Sequence, residues 1–156
     1  MLTLEPRAWY SWDFRVMDGG REVAFLDRRV LREQASFALS GDRYTARRTS
    51  LARGTFVLEG PTGVLARATK TGIFRREFEV EAGPERWLLR AVSPLTREFQ
   101  LLRDGVLLGT VQPVAILRRR ARLDLSDAVP APLQVFVAFL VLVLWKRAAD
   151  AAVGGS

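Results

Sequence analysis

Arginine offers most of the chemistry in this sequence. Arg118-Arg119-Arg120 with Arg122 form the densest basic cluster, Arg47-Arg48 with Arg53 a second, and Lys70 with Arg75-Arg76 a third. A guanidinium presents its N–H groups as a planar fork, which matches the oxygens of phosphate. Gathered on one surface, these side chains bind phosphate. Left apart, they make a solvated surface paired with acids such as Glu77 and Asp124, and such pairs contribute little. The formal net charge is +7. A basic balance favours anionic partners: lipid head groups, nucleic acid or an acidic protein surface.

The remaining chemistry is sparse. The chain has no histidine and no cysteine. That removes disulfides, thiolate metal sites, Ser-His and Cys-His pairs, and the commonest general base. The glycines fall singly or in pairs at turn positions rather than in a phosphate-cradling loop. Two carboxylates can hydrolyse a glycoside. Here Glu77, Glu79 and Glu81 alternate along one strand, which puts them together on its solvated face. Asp124 and Asp127 can ligate calcium with backbone carbonyls, but no Gly-centred loop accompanies them. A strand end and a helix cap suit them better. The expectation is a protein without catalytic residues, metal site or cofactor.

The elements that position these residues come from a repeat. Phe14-Arg15-Val16 leads through Asp18-Gly19-Gly20 to Val23-Ala24-Phe25-Leu26. Phe37-Ala38-Leu39 leads through Gly41-Asp42 to Tyr44-Thr45-Ala46, and Phe56-Val57-Leu58 through Gly60-Pro61-Thr62-Gly63 to Val64-Leu65-Ala66. Phe78-Glu79-Val80 leads through Gly83-Pro84-Glu85 to Trp87-Leu88-Leu89, and Phe99-Gln100-Leu101 through Asp104-Gly105 to Val106-Leu107-Leu108. Each unit is strand, tight turn, strand. The leading phenylalanines are 23, 19, 22 and 21 residues apart, one hairpin each. Five such hairpins make ten strands, and Val114 to Leu125 adds one or two. Trp9, Tyr10 and Trp12 read as an aromatic N-terminal strand that plugs one end of the fold or sits at a membrane interface. A long antiparallel meander closes into a barrel because closure removes its exposed edges.

The C-terminal segment breaks this pattern. After Pro130 and Pro132, residues Leu133 to Trp145 are apolar except for Gln134, and Lys146-Arg147 end the run. Pro132 suits the first turn of a helix, where its missing N–H is not needed. Three structures fit the run: a helix buried by protein on all sides, a transmembrane tail anchor, or a central strand rich in β-branched residues. Length favours the buried helix. Thirteen residues at ~1.5 Å each span about 20 Å, against about 30 Å for a bilayer core. The expected organisation is one domain over residues 1–147, with a central helix at about 132–147 and a helix end and frayed tail at 148–156.

Consecutive Phe-led hairpins, then Leu123-Asp124-Leu125-Ser126-Asp127, then the apolar run Pro132 to Trp145 resemble the tubby C-terminal-like superfamily. That group includes the LURP-one-related proteins and the phospholipid scramblases. The resemblance runs from about Phe14 to Arg147. It implies a twelve-stranded antiparallel β-barrel of hairpins enclosing a C-terminal apolar helix. It implies no single activity, because members do different things. Tubby proteins bind phosphoinositides through basic residues, none of which maps position by position onto this chain. Scramblases use calcium and a cysteine-rich palmitoylated segment, and this chain has no cysteine.

These observations give a non-enzymatic module that docks on anionic membrane lipids, with Arg118, Arg119, Arg120 and Arg122 as phosphate ligands. A protein-interaction or stress-associated scaffold and a tail-anchored membrane protein are the alternatives. Nucleic acid ranks last as a partner, since basic and aromatic residues do not interleave as a base-stacking platform needs. Residues 1–10 lack the basic start and apolar run of a signal peptide, so a cytoplasmic location with peripheral membrane contact is expected.

Overall fold

A computed structural model describes residues 1–8, 12–29, 33–50, 54–72, 75–94, 96–115 and 118–154, leaving aside the side chains of 28, 29, 115, 118 and 119. The strands are β1 (Leu2–Pro6), β2 (Phe14–Asp18), β3 (Arg21–Arg29), β4 (Gln34–Leu39), β5 (Asp42–Ser50) and β6 (Thr55–Gly60). They continue as β7 (Gly63–Lys70), β8 (Glu77–Ala82), β9 (Glu85–Ala91), β10 (Phe99–Arg103), β11 (Val106–Ala115) and β12 (Arg118–Leu125). One helix, α1 (Ala131–Gly154), follows. Every strand pairs with its neighbours in sequence, all antiparallel, and β1 closes the barrel on β12 through Leu2 opposite Leu123 and Leu4 opposite Ala121.

The five Phe-led hairpins are present with the turns read from sequence. Gly19-Gly20, Ser40-Gly41 and Asp104-Gly105 take positive φ at both central positions, the type I′ geometry whose twist matches the flanking strands. Gly109 in β11 shows a different constraint. Its φ is +150° and a Cβ there would lie 2.1 Å from the Asp124 carbonyl oxygen, so only glycine lets β12 approach. Pro113, in the same strand, sits at a break in register opposite β12, where its missing N–H interrupts no regular ladder.

Closing twelve strands creates the need for the helix. Eight strands leave an interior that side chains alone can fill, and more strands leave a wider one. An α-helix with its side chains is about 10–12 Å across and occupies that space. The heights also agree. A strand of about eight residues tilted by ~40° rises about 20 Å, the length of a thirteen-residue helical run. Accordingly Leu133 to Trp145 is buried throughout, except for half-buried Gln134.

The wall makes room for this helix with small residues. Leu58 lies between Ala46 and Ala66, and Phe56 lies beside Ala68. Phe56 meets Phe78 edge-on at 5.7 Å and Phe139 of the helix edge-on at 5.9 Å, joining wall to centre. Both ends of the buried run carry one satisfied polar group. Gln134 Nε2 donates to the Val129 carbonyl at 2.9 Å, and Trp145 Nε1 donates to the Arg97 carbonyl at 3.0 Å. No helix among the described residues is long and apolar enough to cross a membrane.

Several sequence expectations need correction. The first strand is Leu2–Pro6, not the aromatic segment. Trp12 follows it outside any strand, packed against the core and tilted 6.4 Å from Phe14, while Trp9 and Tyr10 lie outside the described residues. The alternation of Leu2 and Leu4 with Thr3 and Glu5 is short, and only closure against both β2 and β12 makes it a strand. Val114 and Ala115 end β11, so Val114 to Leu125 contributes one new strand, β12, the lower of the one or two expected. The helix runs past Arg147 to Gly154, within the helix end expected over 148–156, carried by alanines with high helix propensity. Asp127 does not cap it. The Pro130 carbonyl accepts from the amides of Leu133 and Gln134, and no acid lies in the first turn.

The central test is Phe139. Truncation to alanine in such a core costs about 3–5 kcal/mol, so Phe139→Ala should fold with a clearly lowered denaturation midpoint. Phe139→Asp adds an unpaired buried charge and should abolish the cooperative transition seen by circular dichroism. An aspartate variant with the wild-type midpoint would place the helix outside the barrel.

Candidate functional site

Strand direction sorts the connections onto two mouths. The five tight turns and segment 126–130 lie at one end of the barrel, here the turn mouth. The β1–β2, β3–β4, β5–β6, β7–β8, β9–β10 and β11–β12 connections lie at the other, through which α1 leaves. This exit mouth collects Arg47 and Arg48 at the end of β5, Lys70 at the end of β7, Arg75 and Arg76 before β8, and Arg118 to Arg120 at the start of β12. The turn mouth has the opposite balance. Asp18, Asp42, Glu85, Asp104, Asp124 and Asp127 lie in or beside its turns, against Arg21, Arg43, Arg86 and Arg103.

At the exit mouth the helix end is bound to the wall by one carboxylate. Glu33, just before β4, accepts from Arg147 Nε at 2.7 Å and Nη2 at 2.8 Å, and from Arg48 Nη1 at 2.8 Å. Its backbone is left-handed, with φ 46°, a conformation costly for a residue with a Cβ and held here by its two arginines. Burial raises the Glu33 pKa, but the hydrogen bond and charge of Arg147 and the charge and hydrogen bond of Arg48 outweigh it, so the net shift is downward. Lys70 shares this cluster. Burial, then repulsion from Arg147 and Arg48, lowers its pKa against the pull of Glu33. Three cations around one acid leave the cluster positive.

The neighbouring arc is more open. Arg76 Nη1 donates to the Thr96 carbonyl at 2.7 Å, and Nη2 to those of Ser93 at 3.0 Å and Pro94 at 2.6 Å. One guanidinium therefore organises the β9–β10 connection. With its oxygen turned towards Arg90, the Gln100 amide accepts from Arg90 Nε at 2.8 Å. Arg75 is exposed and reaches Glu77 only at 3.9 Å. These three arginines, with Glu77, Ser93 and Gln100, line a basin of about 470 Å³. Arg97 stacks over Trp145 at 4.5 Å, and Lys146 sits 5.7 Å over the Trp12 ring.

The arginines singled out in the sequence are thus brought to one mouth but not to one point. The β5 to β8 residues form a continuous arc, whereas β12 is four strands away from β8 around the wall. Arg120 is exposed. Arg122 lies lower on the outer wall and donates to Gln112 Oε1 at 2.8 Å, while Gln112 donates on to Glu98 at 2.9 Å. The side chains of Arg118 and Arg119, and all of Arg53, lie outside the described residues. Arg47 is engaged with Glu59, not with the basin. Glu79 and Glu81 are exposed, on the outer face as their spacing requires. Among the described residues no cluster of acids can hold a metal ion.

Sequence reasoning missed Glu33, Arg90 and Arg97. Only Lys146-Arg147 closing the apolar run gave a signal, since cations favour a helix C-terminus. No protein-family model matches the chain, no curated protein matches it, and no solved structure matches it.

Glu33 gives a pH prediction with a definite sign. Its folded pKa lies below the ordinary 4.5, so its ion pairs contribute fully above that value and are lost as pH falls through the lowered one. Glu33→Gln should lower stability at pH 7 by about 1–3 kcal/mol, the range for hydrogen bonds to charged groups. Denaturation at pH 7 and pH 3 should show the gap between wild type and variant shrinking in acid.

Proposed function

We propose that this chain is a non-enzymatic binding module, tubby-like in kind, that docks its exit mouth on anionic membrane lipids. The convergence of the basic connections on the mouth opposite the acidic turns carries the reading. A barrel charged this way has an electrostatic axis, and an anionic surface turns its basic mouth inward. Each cation near such a surface contributes about 1 kcal/mol, so the mouth needs no single deep pocket to hold a membrane.

Phosphate fits the basin of Arg75, Arg76 and Arg90. Arg76 is already fixed by three carbonyls, so little side-chain entropy is lost when a phosphate oxygen arrives. Arg120, with Arg118 and Arg119 entering β12 on the same mouth, forms a second contact across the rim. Arg122 is the weakest member of that group because Gln112 engages it. The binding surface stands apart from the buried helix, so the protein acts from the cytoplasm as a peripheral module.

Flotation of detergent-free protein with phosphatidylcholine vesicles, with and without phosphatidylserine, tests this at low and at ~0.15 M salt. The expected result is flotation with anionic vesicles only, retained in part at the higher salt. Arg75→Gln with Arg120→Gln removes two exposed cations and should weaken binding roughly tenfold or more. A soluble protein that never floats overturns the lipid reading and leaves a protein-binding scaffold.

A further inference from the structure

The barrel wall parts between β3 and β4. Their ladder holds three pairs, from Arg29 opposite Gln34 to Asp27 opposite Ser36, and ends there. Towards the turn mouth each strand keeps only its other neighbour. Phe25 stays paired with Arg15 of β2, and Phe37, Ala38 and Leu39 stay paired with β5. The same register would set Phe25 opposite Ala38. The Ser40-Gly41 turn makes Leu39 and Asp42 a hydrogen-bonded pair, so the amide and carbonyl of Ala38 point away from β5, into the gap. They have no ladder partner there.

A cavity of about 360 Å³ occupies this gap. Half-buried Phe25 and Ala38 are its outward apolar lining, and Asp27, Gln34, Ser36 and Arg43 its polar lining. Strand alternation turns all of these outward, because Ala24, Leu26, Ala35, Phe37 and Tyr44 take the inward, buried positions. Each polar group is therefore reached from solvent. Among the described residues none of these four polar side chains is hydrogen-bonded or ion-paired. Asp27 and Arg43 share the cavity, yet they do not pair with each other. A simple anion or cation would answer only one of them. Opposite charges held apart beside an aromatic ring suit a ligand that carries both charges itself.

We propose that this cavity binds a small zwitterion, an α-amino acid with an apolar side chain. Its ammonium donates to the Asp27 carboxylate, and its carboxylate accepts from the Arg43 guanidinium and the free Ala38 amide. Its side chain packs on Phe25, while Gln34 and Ser36 offer further polar contacts. Each pairing is a charge-assisted hydrogen bond, the stronger kind. The volume lies at the lower end of that of ligand pockets, about 300–1,000 Å³, which favours a single amino acid over a peptide strand. The site is on the wall between the mouths and does not depend on lipid docking.

The test titrates nitrogen-15-labelled protein with L-leucine and follows the backbone amide of Ala38. Two analogues serve as controls: 4-methylpentanoate, which lacks the ammonium, and 3-methylbutylamine, which lacks the carboxylate. Leucine should shift the Ala38 resonance saturably, and each analogue should bind about tenfold more weakly, the loss of one hydrogen bond to a charged group. Asp27→Asn and Arg43→Gln change exposed side chains and leave the fold intact. Asp27→Asn should bring leucine down to the affinity of 4-methylpentanoate, and Arg43→Gln down to that of 3-methylbutylamine. An Ala38 resonance unmoved by leucine, an analogue that binds as well as leucine, or leucine affinity unchanged in both variants overturns the proposal.

Discussion

A wall of twelve strands cannot fill its own interior, and most of the molecule follows from that mismatch. The space left inside is the width of one helix, so the chain supplies a helix that is apolar on every side. The buried run is as long as the barrel is tall. The wall becomes small where the helix passes, at Ala46, Ala66, Ala68 and Ala121, and large where rings reach across, at Phe56 and Phe78. Wall and helix are each incomplete alone. The hairpins without the helix would surround a void, and the helix without them would expose an unbroken apolar surface to water.

The same constraint decides where polar groups go. A centre filled by an apolar helix has no place for unpaired donors, so they gather at the ends. Gln134 is satisfied at the entry, and Trp145 and Arg147 at the exit. Glu33 then couples the last buried turn of the helix to β5, and its pair with Arg147 spans most of the chain. The cations nearby raise the positive potential of the exit mouth. Helix retention and the proposed lipid contact therefore share side chains: Arg48 and Arg147 hold the fold and also charge the surface proposed to meet lipid. Arg75 and Arg120 carry no comparable structural burden.

Orphaned Trp87 fits the same logic by exception. Along most of its circumference the wall is a closed ladder that satisfies backbone and buries side chains together. Beyond Leu88 opposite Leu102 the β9–β10 ladder ends, and nearby the buried Trp87 indole N–H has no acceptor among the described residues.

The sequence by itself determined the hairpins, their turns and the buried character of the C-terminal run. Those features rest on local physics: period-2 alternation, the positive φ that glycine and aspartate tolerate, and an apolar length too short for a bilayer. It also showed arginine as the one abundant reactive side chain. It did not reveal β1, because five residues ending in proline carry little pattern without both partner strands. It left Glu33 and Trp87 without distinction, since neither has a local signature. Only the tertiary structure decided which arginines share a mouth, which are occupied, and where a donor is stranded. Those are questions of strand direction and closure, and pairing residues as far apart as Glu33 and Arg147 depends on the barrel having closed around its helix.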